Sequence, residues 1–70
     1  MKIASSNIMS ADYDRSKHIL TLIFINRPRW VYHYYNISPR IWKEFVRADS
    51  KGTYFSQVIR DQYRYKKTIK

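Results

Sequence analysis

The sequence predicts an α+β domain: a three-stranded antiparallel meander, extendable by a short fourth strand, with two helices packed on one face. Three observations carry that prediction. Residues 30–37, Trp-Val-Tyr-His-Tyr-Tyr-Asn-Ile, are aromatic and β-branched, which suits a pleated, half-buried surface. They run straight into Ser38-Pro39, a helix-start signal. Before them the apolar residues recur with strand spacing, and after them with helix spacing.

In chain order, residues 1–5 are expected to be a flexible tail, residues 6–65 a single domain, and residues 66–70 a basic tail. Residues 7–13 suit a first strand, although Ile8 lies out of phase with Met9, Ala11 and Tyr13. Asp14-Arg15-Ser16-Lys17 is a polar turn in which Asp can bond its own backbone. Residues 18–25 form the most apolar strand. Leu20, Leu22 and Phe24 line one face and Ile19, Ile23 and Ile25 the other, so both faces are expected to be covered. Asn26-Arg27-Pro28-Arg29 turns the chain, with proline presetting φ. An odd-length loop then sets Phe24 opposite Tyr32 and Leu22 opposite Tyr34. His33 and Tyr35 would share the other face with Ile19, Ile23 and Val31.

Ser38 can cap the first helix, with Pro39 in its first turn and Ile37 stapled to Trp42. Ile41, Trp42, Phe45, Val46 and Ala48 make its apolar stripe, and Arg40, Lys43 and Arg47 a cationic stripe opposite. The sole glycine, Gly52, marks a strained or crowded backbone position after this helix. A second helix over about residues 53–62 turns Phe55, Val58 and Ile59 inward. Tyr63-Arg64-Tyr65 alternates again, as a short last strand would.

Seventy residues make one domain with a small core. The absence of cysteine excludes disulfides and thiolate metal sites. No apolar run is long enough to span a bilayer, and the first residues lack a signal-peptide core. A cytoplasmic protein is the expectation, with no membrane partner and no cofactor.

The formal net charge is +9, and it is unevenly spread. Residues 1–26 carry three basic against two acidic groups, and residues 27–70 eleven against three. Such a field attracts polyanions: nucleic acid, anionic lipid or an acidic protein. Candidate phosphate-gripping residues are Arg27 and Arg29 at the hairpin tip, Arg40, Lys43 and Arg47 on the first helix, Lys51 after it, and Arg60, Arg64, Lys66 and Lys67 near the C-terminus. His33 and Tyr35 are the candidates for stacking on bases. Tyr32 and Tyr34 share a face with Leu20, Leu22 and Phe24, so they are assigned to the core instead.

No pair of acids has a spacing suited to acid–base work, and Ser50 lacks an accompanying base. His18 and His33 fall on opposite faces in the expected register, which leaves no metal site. The expected function is a non-enzymatic nucleic-acid-binding module. The alternative is a protein-interaction or inhibitory module, a homodimer through the apolar sheet face or a binder of an acidic protein.

Tyr32-His33-Tyr34, Ile37-Ser38-Pro39, Ala48-Asp49-Ser50-Lys51-Gly52, Tyr54-Phe55, Ile59 and Tyr63 together resemble the KTSC domain. The resemblance spans about residues 6–65. It implies a small bacterial or phage module, similar to the C-terminal domain of some bacterial lysyl-tRNA synthetases, of uncharacterised function with RNA binding proposed. By that resemblance Tyr32, Tyr34, Ser50 and Gly52 are the motif positions, and their role is structural. Family members tend to carry glycine in the hairpin where this chain has Asn26-Arg27-Pro28-Arg29.

Overall fold

The computed structural model describes residues 2–3 and 5–70. Met1 and Ala4, which belong to the expected tail, lie outside the described residues. The strands are β1 (Ile8–Asp14), β2 (Ile19–Phe24), β3 (Arg27–Tyr34) and β4 (Tyr65–Ile69), in sheet order β1-β2-β3-β4 with each neighbouring pair antiparallel. Helix α1 (Pro39–Arg47) and helix α2 (Lys51–Tyr54), which continues as a π-helical turn (Phe55–Ile59), sit between β3 and β4 in sequence. Among the described residues no helix is long and apolar enough to cross a membrane.

The core lies between one sheet face and the helices. Ile8, Ala11, Leu20, Leu22 and Tyr34 enter it from the sheet, and Ile37, Ile41, Phe45, Phe55 and Ile59 from the helical segment. Ile8 joins Ala11 on this face through an irregularity between Ile8 and Ser10 in the β1–β2 pairing. An extra residue flips the alternation, which explains why Ile8 is out of phase in sequence.

Several expectations need correction. The register of the central hairpin is Leu20 with Tyr34, Leu22 with Tyr32 and Ile23 with Val31, two residues from the expected one. A shift of two preserves facing, so the face of each side chain is unchanged. The turn is also placed differently. Phe24 pairs with Arg27, so the strand already contains Pro28 and Arg29 and bulges before Val31. Proline offers no N–H to a ladder and is at home in such a bulge.

The expected basic tail contributes most of β4, which pairs with β3 from Trp30–Ile69 to Tyr34–Tyr65. Its lysines suit an exposed edge. At the other edge, part of the expected N-terminal tail folds back: Ile3 N–H donates to Met9 O at 3.0 Å and Lys2 bridges to Ser10.

Both helices start on serine caps. Ser38 Oγ accepts from Ile41 N–H, and Ser50 Oγ accepts from Thr53 N–H, each at 3.3 Å. The Ser50 cap starts the second helix at Lys51, two residues before its expected beginning.

Among the described residues two positions adopt left-handed backbone, and neither is glycine: His18 (φ 58°) and Asn36 (φ 60°). Gly52 serves space instead. It is buried, and a Cβ there would collide with the Asn7 carboxamide, whose Cγ lies 3.1 Å from that position. Gly52→Ala is therefore expected to cost about 1 kcal/mol, the low end for overpacking, because the neighbour that must give way is the exposed Asn7 side chain. Asn7→Ala in the same chain should recover at least about 0.5 kcal/mol of it. Urea melts of the two single variants and the double variant check this; strictly additive losses would contradict it.

Candidate nucleic-acid interface

Helix α1 sorts its residues by period. Ile41 and Phe45 turn into the core, while Arg40, Lys43 and Arg47 are exposed. Trp42 lies between the two sides, half-buried, stacked on Tyr13 with centroids 5.3 Å apart and planes 12° from parallel. The Tyr13 hydroxyl donates to Ile37 O at 2.6 Å, tying β1 to the helix start.

The β1–β2 turn then delivers a fourth cation. Asp14 Oδ1 accepts from Ser16 N–H (2.9 Å), Ser16 Oγ–H (2.7 Å) and Lys17 N–H (3.1 Å), which orders the turn. The Ser16 hydroxyl contributes most to holding the Asp14 carboxyl below its ordinary range. Arg15 in this turn and Arg40, Lys43 and Arg47 on α1 rim one groove of about 470 Å³, floored by Pro39, Trp42 and Val46. Glu44 reaches Arg40 at 3.9 Å, an exposed pair that neutralises little.

A second concavity of about 470 Å³ opens where β3 and β4 meet the π-helical turn. Tyr32, Tyr34, Tyr65, Phe24 and Phe55 line it, with Arg27 and Arg60 also at its walls. Tyr34 is almost fully buried, and burial pushes its phenol up to about 12. Tyr54, bonded to Glu44 Oε1 at 2.8 Å, is likewise pushed up to about 12, first by burial and then by that carboxylate.

A phenol whose folded pKa exceeds its unfolded value stabilises the fold fully below about pH 10, and that stability is lost as pH rises through 12. The chain is therefore expected to lose stability steadily between pH 10 and 12. Tyr34→Phe should flatten that slope. Denaturant midpoints at pH 8, 10 and 11 check this, and equal slopes for both proteins would contradict it.

The sheet face away from the helices differs from the expected apolar patch. The pairing places Thr21 beside His33 and His33 beside Lys66, giving a polar band across its middle. His33 Nδ1 lies 3.5 Å from Thr21 Oγ1, and Nε2 lies 3.0 Å from Thr68 Oγ1. Both ring nitrogens are thus engaged, so His33 is anchored within the sheet. Ile25 is outside β2, about half exposed in the turn.

The predicted cations therefore fall into separate groups. Arg40, Lys43 and Arg47 stand together, and Arg27 stands with Arg60. Lys66 faces the polar band, while Lys67 Nζ sits 4.9 Å from the centroid of Trp30. Lys51 Nζ donates to Ala48 O at 3.2 Å and helps close α1. Arg29 and Arg64 are exposed, and their carbonyls accept from Lys70 and Tyr35 N–H. Tyr35 is half-buried just past β3.

Sequence reasoning missed Arg15 and Tyr65. Arg15 lies far from α1 in the chain, and the Tyr13–Trp42 stack together with the Tyr13 hydroxyl and Ile37 N–H bonds brings its turn there. Tyr65 is half exposed and opens β4, whose consecutive lysines break the apolar alternation that would have marked a strand.

Comparison with known proteins places this geometry. The sequence pattern of the KTSC domain matches residues 4–63. A protein of Tsukamurella paurometabola is 29% identical over 62 residues, covering 89% of this chain and 90% of that protein. The crystal structure of a KTSC domain protein from Yersinia pestis superposes with a TM-score of 0.91 at 29% identity. That match covers 97% of this chain and 93% of the other.

Proposed function

This chain belongs to the KTSC domain family, and on that premise we propose that it is a non-enzymatic nucleic-acid-binding module, RNA favoured, that grips phosphates through a basic surface. The observation that carries the reading is the groove shared by Arg15, Arg40, Lys43 and Arg47. Three of the four are arginines, whose planar forks meet phosphate oxygens in pairs.

Fluorescence anisotropy of a labelled single-stranded 12-mer RNA tests the reading. With four phosphates neutralised on a single strand, affinity is expected to fall roughly 50-fold between 50 and 200 mM salt. Absence of binding at 50 mM salt would end the reading.

The alternative, a protein-interaction module dimerising through the outer sheet face, has less to rest on. The Thr21-His33-Thr68 band divides the apolar residues Ile19, Ile23 and Val31 that would have to meet a second copy.

A further inference from the structure

Five rings close a circuit at the β3–β4 concavity. Centroid separations run Phe24–Tyr32 5.2 Å, Tyr32–Tyr65 5.7 Å, Tyr65–Tyr34 5.2 Å, Tyr34–Phe55 5.3 Å and Phe55–Phe24 5.3 Å. Four of the rings are half or more buried, whereas Tyr65 leaves 51% of its surface to solvent. Tyr65 is therefore the ring with room for one more stacking partner.

The π-helical turn has a consequence at this spot. Its wide turn bonds Arg60 N–H to Phe55 O at 2.9 Å and carries the Arg60 guanidinium to 5.8 Å from the Phe55 centroid, at the pocket wall. Such turns are rare and concentrate at functional sites. Arg27 enters the same wall because the bulge before Val31 starts β3 early.

We propose that this pocket takes one nucleotide with an unpaired base, the base stacking on Tyr65 and Tyr32 and the phosphate meeting Arg27 and Arg60. A bare cation is the poorer occupant of these rings, because two arginines line the site against the single carboxylate of Asp61. The phenols supply hydrogen-bonding groups for a base edge. The raised Tyr34 phenol stays protonated near neutral pH. The volume of about 470 Å³ lies within the usual range for small-ligand sites.

The proposal deepens the nucleic-acid reading and rests on it for the source of the nucleotide, since a free nucleotide shares the same chemistry. Two titrations separate the sources and the failures. In the first, adenosine monophosphate is added to the isotope-labelled protein and followed by NMR. Saturable shifts are expected at Tyr32, Tyr65 and Arg60, weakened by Arg60→Gln for the nucleotide but unchanged for adenosine.

In the second, hexa-adenylate is compared with an abasic hexamer of the same charge. The base-bearing strand is expected to bind roughly 5- to 150-fold more tightly. Tyr65→Ala, at a half-exposed position on the edge strand, should remove that difference and leave abasic affinity unchanged, with a urea melt verifying that the fold survives loss of the ring stacked on Tyr34. Resonances that do not move with the nucleotide, or a base preference that survives Tyr65→Ala, would overturn the pocket even if both hexamers bind. Pocket shifts with the nucleotide while neither hexamer binds would assign the pocket to a free nucleotide and overturn the polymer reading alone.

Discussion

Phe45→Ala is expected to leave much of the chain unfolded at 25 °C. Phe45 is fully buried at the centre of α1, with Trp42 at 5.9 Å and Tyr54 at 6.3 Å between ring centroids. Truncating such a ring costs about 3–5 kcal/mol, the lost transfer energy plus the cavity left behind. A domain of this size holds only about 3–5 kcal/mol in total, so the loss matches the whole. Far-UV circular dichroism and urea titration check this, with Ile69→Ala as the comparison. Ile69 is 69% exposed on the edge strand, and its truncation should change stability by less than about 0.5 kcal/mol. A loss below about 1.5 kcal/mol for Phe45→Ala would mean that α1 is not seated on the sheet as described.

The second large effect concerns binding. Replacing Arg15, Arg40 and Arg47 together by Gln removes three of the four cations around the Trp42 groove. If each neutralises one phosphate of a single strand, each contributes a factor of roughly 8 at 50 mM salt, so the triple variant should bind several hundred-fold more weakly, about 500-fold. All three side chains are exposed, so the fold is expected to be retained, and an unchanged urea midpoint would verify it. Retention of affinity within about threefold would remove the groove from the interface.

Much of the fold was legible because local chemistry and tertiary structure agree there. Ser38-Pro39 marks the start of α1 with its own cap, and the two-residue period of β2 and β3 fixes which side chains share a face. What escaped was set by pairing. β4 was hidden by its lysines, which suit an edge strand as well as a tail. The hairpin register depends on a bulge that no Asn-Gly or Asp-Gly turn announces.

The single glycine pointed to a crowded or strained position, and crowding is the answer. The left-handed backbone fell to His18 and Asn36, residues that tolerate it less well than glycine. The candidate site was legible in part. The α1 stripe follows from helical spacing, whereas Arg15 joins it through tertiary contacts, the Asp14 turn, the Tyr13–Trp42 stack and the Tyr13 bond to Ile37 O. The pairing of Arg27 with Arg60 needs both the β3 bulge and the π-helical turn.

The most direct test is the salt dependence of RNA binding for three proteins: the parent chain, the Arg15→Gln/Arg40→Gln/Arg47→Gln variant, and an Arg64→Gln/Lys66→Gln/Lys70→Gln variant that removes three exposed cations in and beside β4. The parent is expected to show a log–log slope near −2.8, the groove variant one about 2 units shallower, and the β4 variant an unchanged slope. A slope that stays with the groove variant and collapses in the β4 variant would contradict it.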